Sequence, residues 1–138
     1  MSEEQLRTRQ PPAVRAWHAV VDAADSSLLA SLLADDVVFL SPAVYAPQRG
    51  KELTTQYLTS AMVVLGPSLR YISEWYDDTS AVLEFEANLE GVFVQGIDML
   101  RWNAEHLLVS FTVMVRPIRG LEKLIELIAR QLAAEGAS

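Results

Sequence analysis

The spacing of apolar residues changes once along this chain, and that change constrains the fold more than any other feature. Up to about residue 68, apolar side chains recur every three or four positions, as on one face of a helix. Beyond it they alternate with polar ones, most cleanly over residues 80–91, as in half-buried β-strands. A run of helices followed by a run of strands predicts an α+β fold, with helices on one face of an antiparallel sheet.

Helices around one short strand are predicted in the first half of the chain. Prolines at positions 11 and 12 suit the first turn of a helix, whose apolar side follows at helical spacing with Val14, Trp17, His18 and Val21. The further predictions are a short helix over residues 28–33 that ends at the acidic segment 34–36, a strand over 37–42, a loop over 42–50 and a helix over about 51–65.

Strands dominate the second half. The predicted elements are strands over residues 69–76, 80–91, 92–103 and 107–117, a turn at 104–106, and an amphipathic helix over about 120–134. Four strands in succession predict a meander whose inner face the helices cover. We therefore expect a cone, in which a curved antiparallel sheet wraps around three N-terminal helices and a C-terminal helix completes an apolar interior.

Chain length and apolar content predict one domain with a real core. The chain has 138 residues, 51% of them hydrophobic. Residues 1–11 are charged and polar, so we expect a flexible N-terminal tail followed by a single domain over 12–138. The start of the chain lacks the apolar stretch of a secretory signal, and no apolar run is long enough to span a bilayer. These features predict a cytoplasmic protein without membrane contact.

Charge and the types of polar residue exclude several classes of function. Eleven basic and eighteen acidic residues give a net charge of −7, which argues against nucleic acid as a partner. The chain has no cysteine, and its two histidines and scattered carboxylates lack metal-ligand spacing. It also has no glycine-rich phosphate loop and no G-x-S-x-G sequence. We therefore predict neither a metal nor a cofactor.

One acidic residue lies inside an apolar strand, in the stretch QGIDMLRWN at residues 95–103. With a period of two, one face of that strand carries Gly96, Asp98, Leu100 and Trp102. Because the other face is also largely apolar, Asp98 cannot simply be assigned to solvent. A buried carboxylate is costly unless it is paired, protonated or directed into a cavity.

Two stretches of the chain resemble the NTF2-like superfamily in the order of their elements and motifs. The first, residues 13–42, is a helix, a turn of small residues, a second helix, an acidic end and a strand. The second, residues 96–117, contains Gly-Ile-Asp, Arg-Trp-Asn and a closing Val-Met-Val-Arg-Pro. The sequence is similar to the SnoaL-like and ketosteroid-isomerase-like members of bacterial type. The resemblance implies the same cone, on which many different activities occur.

The resemblance carries over only part of a catalytic set. Asp98 falls where ketosteroid isomerases keep a protonated aspartic acid that donates to an oxyanion. The tyrosine that assists it aligns with Trp17, and the general base aligns with Ser41, which cannot abstract a carbon-bound proton without a neighbouring base. The arginine of limonene-epoxide hydrolases aligns with Gly96, and of the two histidines that scytalone dehydratase needs only His18 remains. Steroid isomerisation is therefore disfavoured, and whether the protein is an enzyme stays open.

Asp98 and His18 are the candidate catalytic residues, each with a structural alternative. Asp98 is either a pocket carboxyl that exchanges a hydrogen bond with a ligand oxygen, or a structural carboxylate paired with an arginine or a ring N–H. His18 is either a pocket acid or base, able to couple to Asp98 across a cavity, or an ordinary core histidine.

The apolar candidates are residues whose periodicity and alignment place them on the inner surface of the cone. Together with Asp98, the predicted ligand-binding residues are Trp17, Tyr57, Leu83, Phe85, Leu100, Trp102, Phe111 and Val113. Each either lines a cavity or fills a core. Tyr45, in the proline-rich loop, is either a rim residue or a loop anchor.

The opposite sheet face carries Arg101, Arg116, Met99 and Met114. The arginines are expected to pair with glutamates of that face. Because an exposed apolar sheet face is a liability, we expect a second copy of the chain to cover it.

These features favour a homodimer that binds a small, mainly apolar molecule in its cone, with Asp98 as the polar anchor. A SnoaL-like lyase, isomerase or hydrolase reaction remains open. The alternative is a non-catalytic dimerisation or protein-interaction module whose cone is filled by Trp17, Phe85 and Trp102. An open cavity of about 300 Å³ or more with Asp98 on its wall would favour binding.

Overall fold

A computed structural model of the protein describes residue 2 and residues 9–136. The flexible tail expected over residues 1–11 falls mostly outside the described residues, and it stays a prediction.

The order of helices and strands follows the predicted α+β pattern. In chain order the elements are α1 (Pro12–Ala23), a 3-10 helix (Ser26–Ser31), β1 (Leu33–Leu40), β2 (Gln48–Arg49), α2 (Lys51–Leu65), β3 (Arg70–Tyr76), β4 (Ser80–Leu89), β5 (Val92–Trp102), β6 (Leu108–Arg116) and α3 (Ile118–Gly136). Helix α1 begins at the proline that suits a first helical turn. No helix in this described part of the chain combines the length and hydropathy needed to cross a membrane.

The predicted second helix is wrong in type and in end point. Asp25 accepts the backbone N–H of Ser27 at 3.0 Å and starts a short 3-10 helix. Strand β1 then begins at Leu33, before the acidic segment that was expected to end the helix. Its register against β6 shifts between Leu33 and Val38, so the strand bulges there and both acidic residues of the bulge remain exposed. The predicted loop likewise contains β2, which pairs with β1.

The sheet among the described residues has six strands in the order β2-β1-β6-β5-β4-β3. All neighbouring strands are antiparallel except β1 and β6, which are parallel. The long segment between these two strands permits that pairing. The β4–β5 hairpin turns at Glu90 and Gly91, whose φ angles of 53° and 90° match the positive values of a type I′ turn. The sheet is curved and stays open.

The buried apolar residues form two clusters at opposite ends of the concave face. The first lies under α1 and includes Val14, Trp17, Leu100 and Phe111. The second lies under α3, where Leu124 packs against Leu89 and Val94 of the sheet. Gly120 permits this approach, because a Cβ there would lie 2.5 Å from the side chain of Val94.

The convex face of the sheet is partly apolar and partly charged. Arg116 donates to Gln95 at 2.8 Å, and Gln95 donates to Glu84 at 2.7 Å. The predicted ion pair of Arg116 with a glutamate is therefore wrong. Its cross-strand neighbour is Gln95, which lies between Arg116 and Glu86, and Glu86 is paired with Arg70 instead.

Candidate functional site

A cavity of about 610 Å³ lies between the two clusters. The inner face of β3–β6 forms one wall, and residues from α1, α2 and α3 form the others. The loop between β1 and β2 lies at its edge and contributes Ser41, Pro42, Ala43 and Val44. The walls are mainly apolar, so the few polar groups that reach them decide what the cavity can recognise.

Asp98 is the buried carboxyl on the wall of this cavity. The residue is 6% exposed, and its cross-strand neighbours are Leu83 and Val113. Strand β5 buries Gly96, Asp98, Leu100 and Trp102, so the face assigned from the sequence is confirmed. Asp98 therefore faces the interior because of strand parity.

A directional chain of hydrogen bonds leads to Asp98. The indole Nε1–H of Trp17 donates to the hydroxyl oxygen of Tyr71 at 2.8 Å, and that hydroxyl donates to Oδ2 of Asp98 at 2.6 Å. Because an indole N–H can only donate, the Tyr71 proton must point to Asp98. Oδ2 is therefore an acceptor in this arrangement, and the proton of a neutral Asp98 would reside on Oδ1.

Burial sets the proton affinity of this pair. Desolvation raises the pKa of Asp98 from 3.8 to about 7, although the Tyr71 hydrogen bond acts in the opposite direction. Desolvation, followed by the charge of Asp98, raises the pKa of Tyr71 well above its ordinary value of 10. Asp98 can therefore donate or accept a proton near neutral pH, whereas Tyr71 remains a neutral donor.

Six of the nine predicted ligand-binding residues line the cavity, and three do not. The lining residues among them are Trp17, Tyr57, Phe85, Asp98, Phe111 and Val113. Leu83, Leu100 and Trp102 are buried in the cluster under α1 and do not line the cavity. Trp102 also donates its indole N–H to the backbone oxygen of Asp78 at 3.0 Å. Strand parity identified which residues face inward, but not which of these residues line the cavity and which are packed in the core.

His18 does not line the cavity, so the alternative in which it acts as a pocket acid or base beside Asp98 finds no support in the geometry. Its Nε2 is paired with the carboxylate of Glu74, which also accepts from Gln10 at 2.9 Å. The His18 ring contacts the Tyr71 ring edge-on with centroids 5.0 Å apart. Consecutive residues of a helix project in different directions, and of these two only Trp17 lines the cavity.

The positions where related enzymes keep catalytic groups are occupied differently. Ser41 lines the cavity edge, and its hydroxyl accepts the backbone N–H of Ala43 at 3.0 Å. Gly96 lies under the ring of Phe85, and a Cβ there would lie 2.5 Å from that ring and 2.5 Å from the Met114 carbonyl oxygen. No arginine fits in that place. Tyr45 is fully exposed, and its neighbour Val44 lines the cavity instead.

Tyr71 is the hydrogen-bond partner of Asp98 that the sequence did not reveal. Counting back from the β3–β4 turn without irregularity would pair Tyr71 with Glu86 and turn it outward. The register shifts between Tyr71 and Ser73, and Tyr71 pairs with Phe85 on the inner face. A bulge changes strand parity without a clear sequence signature. The sequence offered one indirect signal: the buried acid Asp98 needs a hydrogen-bond donor, and Tyr71 supplies it.

Ionisable groups on the cavity wall are few and acidic. Among the described residues, the lining contains the carboxyls of Asp98 and Asp22 but no lysine, arginine or histidine. In the same part of the chain, no group of three or more histidine, cysteine, aspartate or glutamate residues is arranged to hold a metal ion.

Comparison with solved structures places this cone among known proteins. A steroid delta-isomerase from Pseudomonas aeruginosa is 33% identical with a TM-score of 0.87, over 94% of this chain and all of that one. A protein with a cystatin-like fold from Silicibacter pomeroyi is 26% identical with a TM-score of 0.81, over 87% of this chain and 84% of that one. An NTF2-like protein from Mesorhizobium loti shares the fold at 17% identity and a TM-score of 0.67, over 76% and 88% of the two chains.

No family model and no curated protein matches the chain. The Pseudomonas relative covers nearly the whole length of both chains, and its 33% identity establishes common descent. The chain belongs to the NTF2-like superfamily and is of bacterial type. The resemblance and the α+β cone inferred from the sequence are thereby confirmed.

Proposed function

We propose that the protein binds a small, mainly apolar molecule in the cavity, with Asp98 as its polar anchor. The observation that carries this proposal is an open space of about 610 Å³ with apolar walls and one buried carboxyl. That volume lies within the usual range of about 300–1,000 Å³ for small-molecule sites. A filled interaction module is not favoured, because Trp102 packs outside the cavity while Trp17 and Phe85 only line it.

Filling the cavity from one side tests this proposal. Ala61 lines the cavity from α2, whereas Gln56 lies on the exposed side of the same helix. Ala61→Phe should abolish the fluorescence gain of Nile red, a neutral apolar dye, whereas Gln56→Phe should preserve it. Equal dye binding by both variants would place the dye elsewhere and reject the proposal. Native mass spectrometry of protein purified from its host would then identify a ligand that remains bound.

Steroid isomerisation has to be considered as well, because the Pseudomonas relative is named a steroid delta-isomerase. Such a reaction moves a carbon-bound proton and needs a base. On the cavity wall, Asp98 titrates near neutral pH, whereas the place expected for the isomerase base holds Ser41. We therefore expect no conversion of a 5-ene-3-ketosteroid into its conjugated isomer, followed by ultraviolet absorbance. Conversion that Asp98→Asn abolishes would instead establish isomerase activity.

We also propose that two copies associate through the convex sheet face. Ile72, Trp75 and Met114 are 41%, 58% and 51% exposed. The same face carries arginines and glutamates, so two copies related by a two-fold axis can match unlike charges. A cytoplasmic location remains a prediction from the sequence.

A further inference from the structure

The charges that reach the cavity wall are all negative. Asp98 lies on the wall and Asp22 contributes from the end of α1, while no basic side chain lines the cavity in the described part of the chain. Glu74 lies behind Tyr71, and its carboxylate is already hydrogen-bonded to His18 and Gln10. An anionic ligand would therefore enter without a counter-ion, at a high desolvation cost.

One oxygen of Asp98 is left for a ligand. Oδ2 accepts the Tyr71 hydroxyl, whereas Oδ1 has no hydrogen-bond partner among the described residues. Oδ1 is also not among the side-chain atoms that are both fully enclosed and unpartnered, so it retains access to the cavity. The fixed direction of the Trp17–Tyr71–Asp98 chain stabilises a carboxylate at Oδ2 and presents the other oxygen to the cavity.

Aromatic rings line the same cavity as Asp98. Trp17 and Phe111 have centroids 4.8 Å apart, and Tyr71 and Phe85 have centroids 6.2 Å apart. All four residues line the same cavity. The faces of aromatic rings attract cations, and the attraction grows where water is excluded.

We propose that the molecule held in this cavity carries a protonated amine, which pairs with Asp98 Oδ1 and packs against these rings. This inference rests on the proposed function and specifies its ligand class. An ammonium group supplies the counter-charge that the cavity wall lacks, and it needs no donor from the protein. A neutral hydrogen-bond acceptor bound by the protonated acid is the competing ligand class, and its affinity has the opposite pH dependence.

The sign of the pH dependence separates the two classes. The other ionisable groups on the cavity wall are Tyr71 on β3, Tyr57 on α2 and Asp22 on α1, and Glu74 and His18 lie behind Tyr71. Since the pKa of Asp98 is about 7, only about 1% of the carboxyl is ionised at pH 5 and about 90% at pH 8. An ammonium ligand should therefore bind roughly 100-fold more tightly at pH 8, whereas a neutral acceptor should bind more weakly.

Three cage compounds of one shape provide the test. Titration calorimetry of the full chain at pH 5 and pH 8 would compare 1-aminoadamantane, 1-adamantanol and 1-adamantanecarboxylate, which differ in charge but not in hydrocarbon volume. We expect the amine to bind at least tenfold more tightly than the alcohol at pH 8 and the carboxylate to bind most weakly. In Asp98→Asn the preference for the amine and its pH dependence should disappear, while the alcohol still binds.

The outcomes distinguish this inference from the proposed function. Equal binding of amine and alcohol at pH 8 would overturn the amine inference and leave an apolar binding cavity. Failure of all three compounds to bind would overturn both. A second variant, Tyr71→Phe, provides the test if Asp98→Asn does not fold. It keeps the carboxyl and should move the pH midpoint of amine affinity upward. An unmoved midpoint in a folded Tyr71→Phe protein would reject Asp98 as the anchor.

Discussion

At the scale of single residues, Asp98 joins the protein's stability to its binding site. A pKa raised from 3.8 to about 7 means that the folded protein holds a proton that the unfolded chain has lost between those values. The free energy of unfolding therefore falls as the pH rises from about 4 to about 7. The full penalty above pH 7 is about 4 kcal/mol, taking 1.36 kcal/mol per pH unit. The buried carboxyl of Asp98 therefore lowers the stability of the protein at neutral pH, and the sequence showed only that an acidic residue lies in an apolar strand.

Replacing that carboxyl with an amide should remove the pH dependence that Asp98 gives to the free energy of unfolding. Between pH 5 and pH 8, the free energy of unfolding of Asp98→Asn should improve relative to the original chain by roughly 2–3 kcal/mol. Urea denaturation at both pH values measures this difference, and other titrating groups cancel because both proteins contain them. A stability difference that is the same at both pH values would show that Asp98 is ionised or solvated throughout.

Tyr71 should hold the pKa of Asp98 below the value that burial alone would give. Its hydrogen bond is the one influence that lowers that pKa, so Tyr71→Phe should raise the pKa further above 7. The side-chain carboxyl carbon of Asp98, followed by NMR across a pH titration, reports the midpoint. Tyr57→Phe is the matched control, since Tyr57 lines the same cavity without bonding to Asp98. An unchanged midpoint in Tyr71→Phe would contradict the hydrogen-bond chain.

At the scale of elements, regular periodicity was readable from the sequence and its interruptions were not. The alternation in β4 and β5 predicted both the strands and their inner faces, because an uninterrupted pleat transmits parity along its whole length. Two bulges defeated the same reasoning. One places Asp35 and Asp36 inside β1 instead of after a helix, and the other turns Tyr71 inward. The alternation of apolar and polar residues therefore could not assign Tyr71 to the cavity wall.

Gly96 is the position where β5 has no room for a side chain. A Cβ would overlap the Phe85 ring and the Met114 carbonyl oxygen, and the backbone oxygen cannot move without disturbing the β5–β6 pairing. Gly96→Ala should lower the free energy of unfolding by about 1–3 kcal/mol, measured by urea denaturation. Gly136→Ala is the control, because nothing lies within 4 Å of the Cβ it would add. Equal stability of both variants would show that the strand accommodates a Cβ at position 96 without strain.

At the scale of the whole molecule, the cone follows from composition and order, but its cavity does not. Apolar content and the helix-then-strand order predicted an apolar interior, yet the same residues fill one end and leave the middle open. Leu83 and Leu100 face inward and are covered by α1, whereas Phe85 and Phe111 also line the space that α3 closes. The distance between helices and sheet decides which inward residues meet a ligand, and that distance depends on contacts remote in sequence.

The convex face of the sheet is the surface through which we expect two copies of the chain to associate. Met114 lies on β6 in the centre of the sheet order, with half of its surface exposed. In a two-fold interface a carboxylate at this position would be buried twice and face its own copy, so Met114→Glu should yield monomer in sedimentation velocity experiments. Leu28→Glu makes the same chemical change at an exposed apolar residue of the 3-10 helix, away from this face, and should leave the dimer intact. A dimer that survives Met114→Glu would exclude the convex face as the interface.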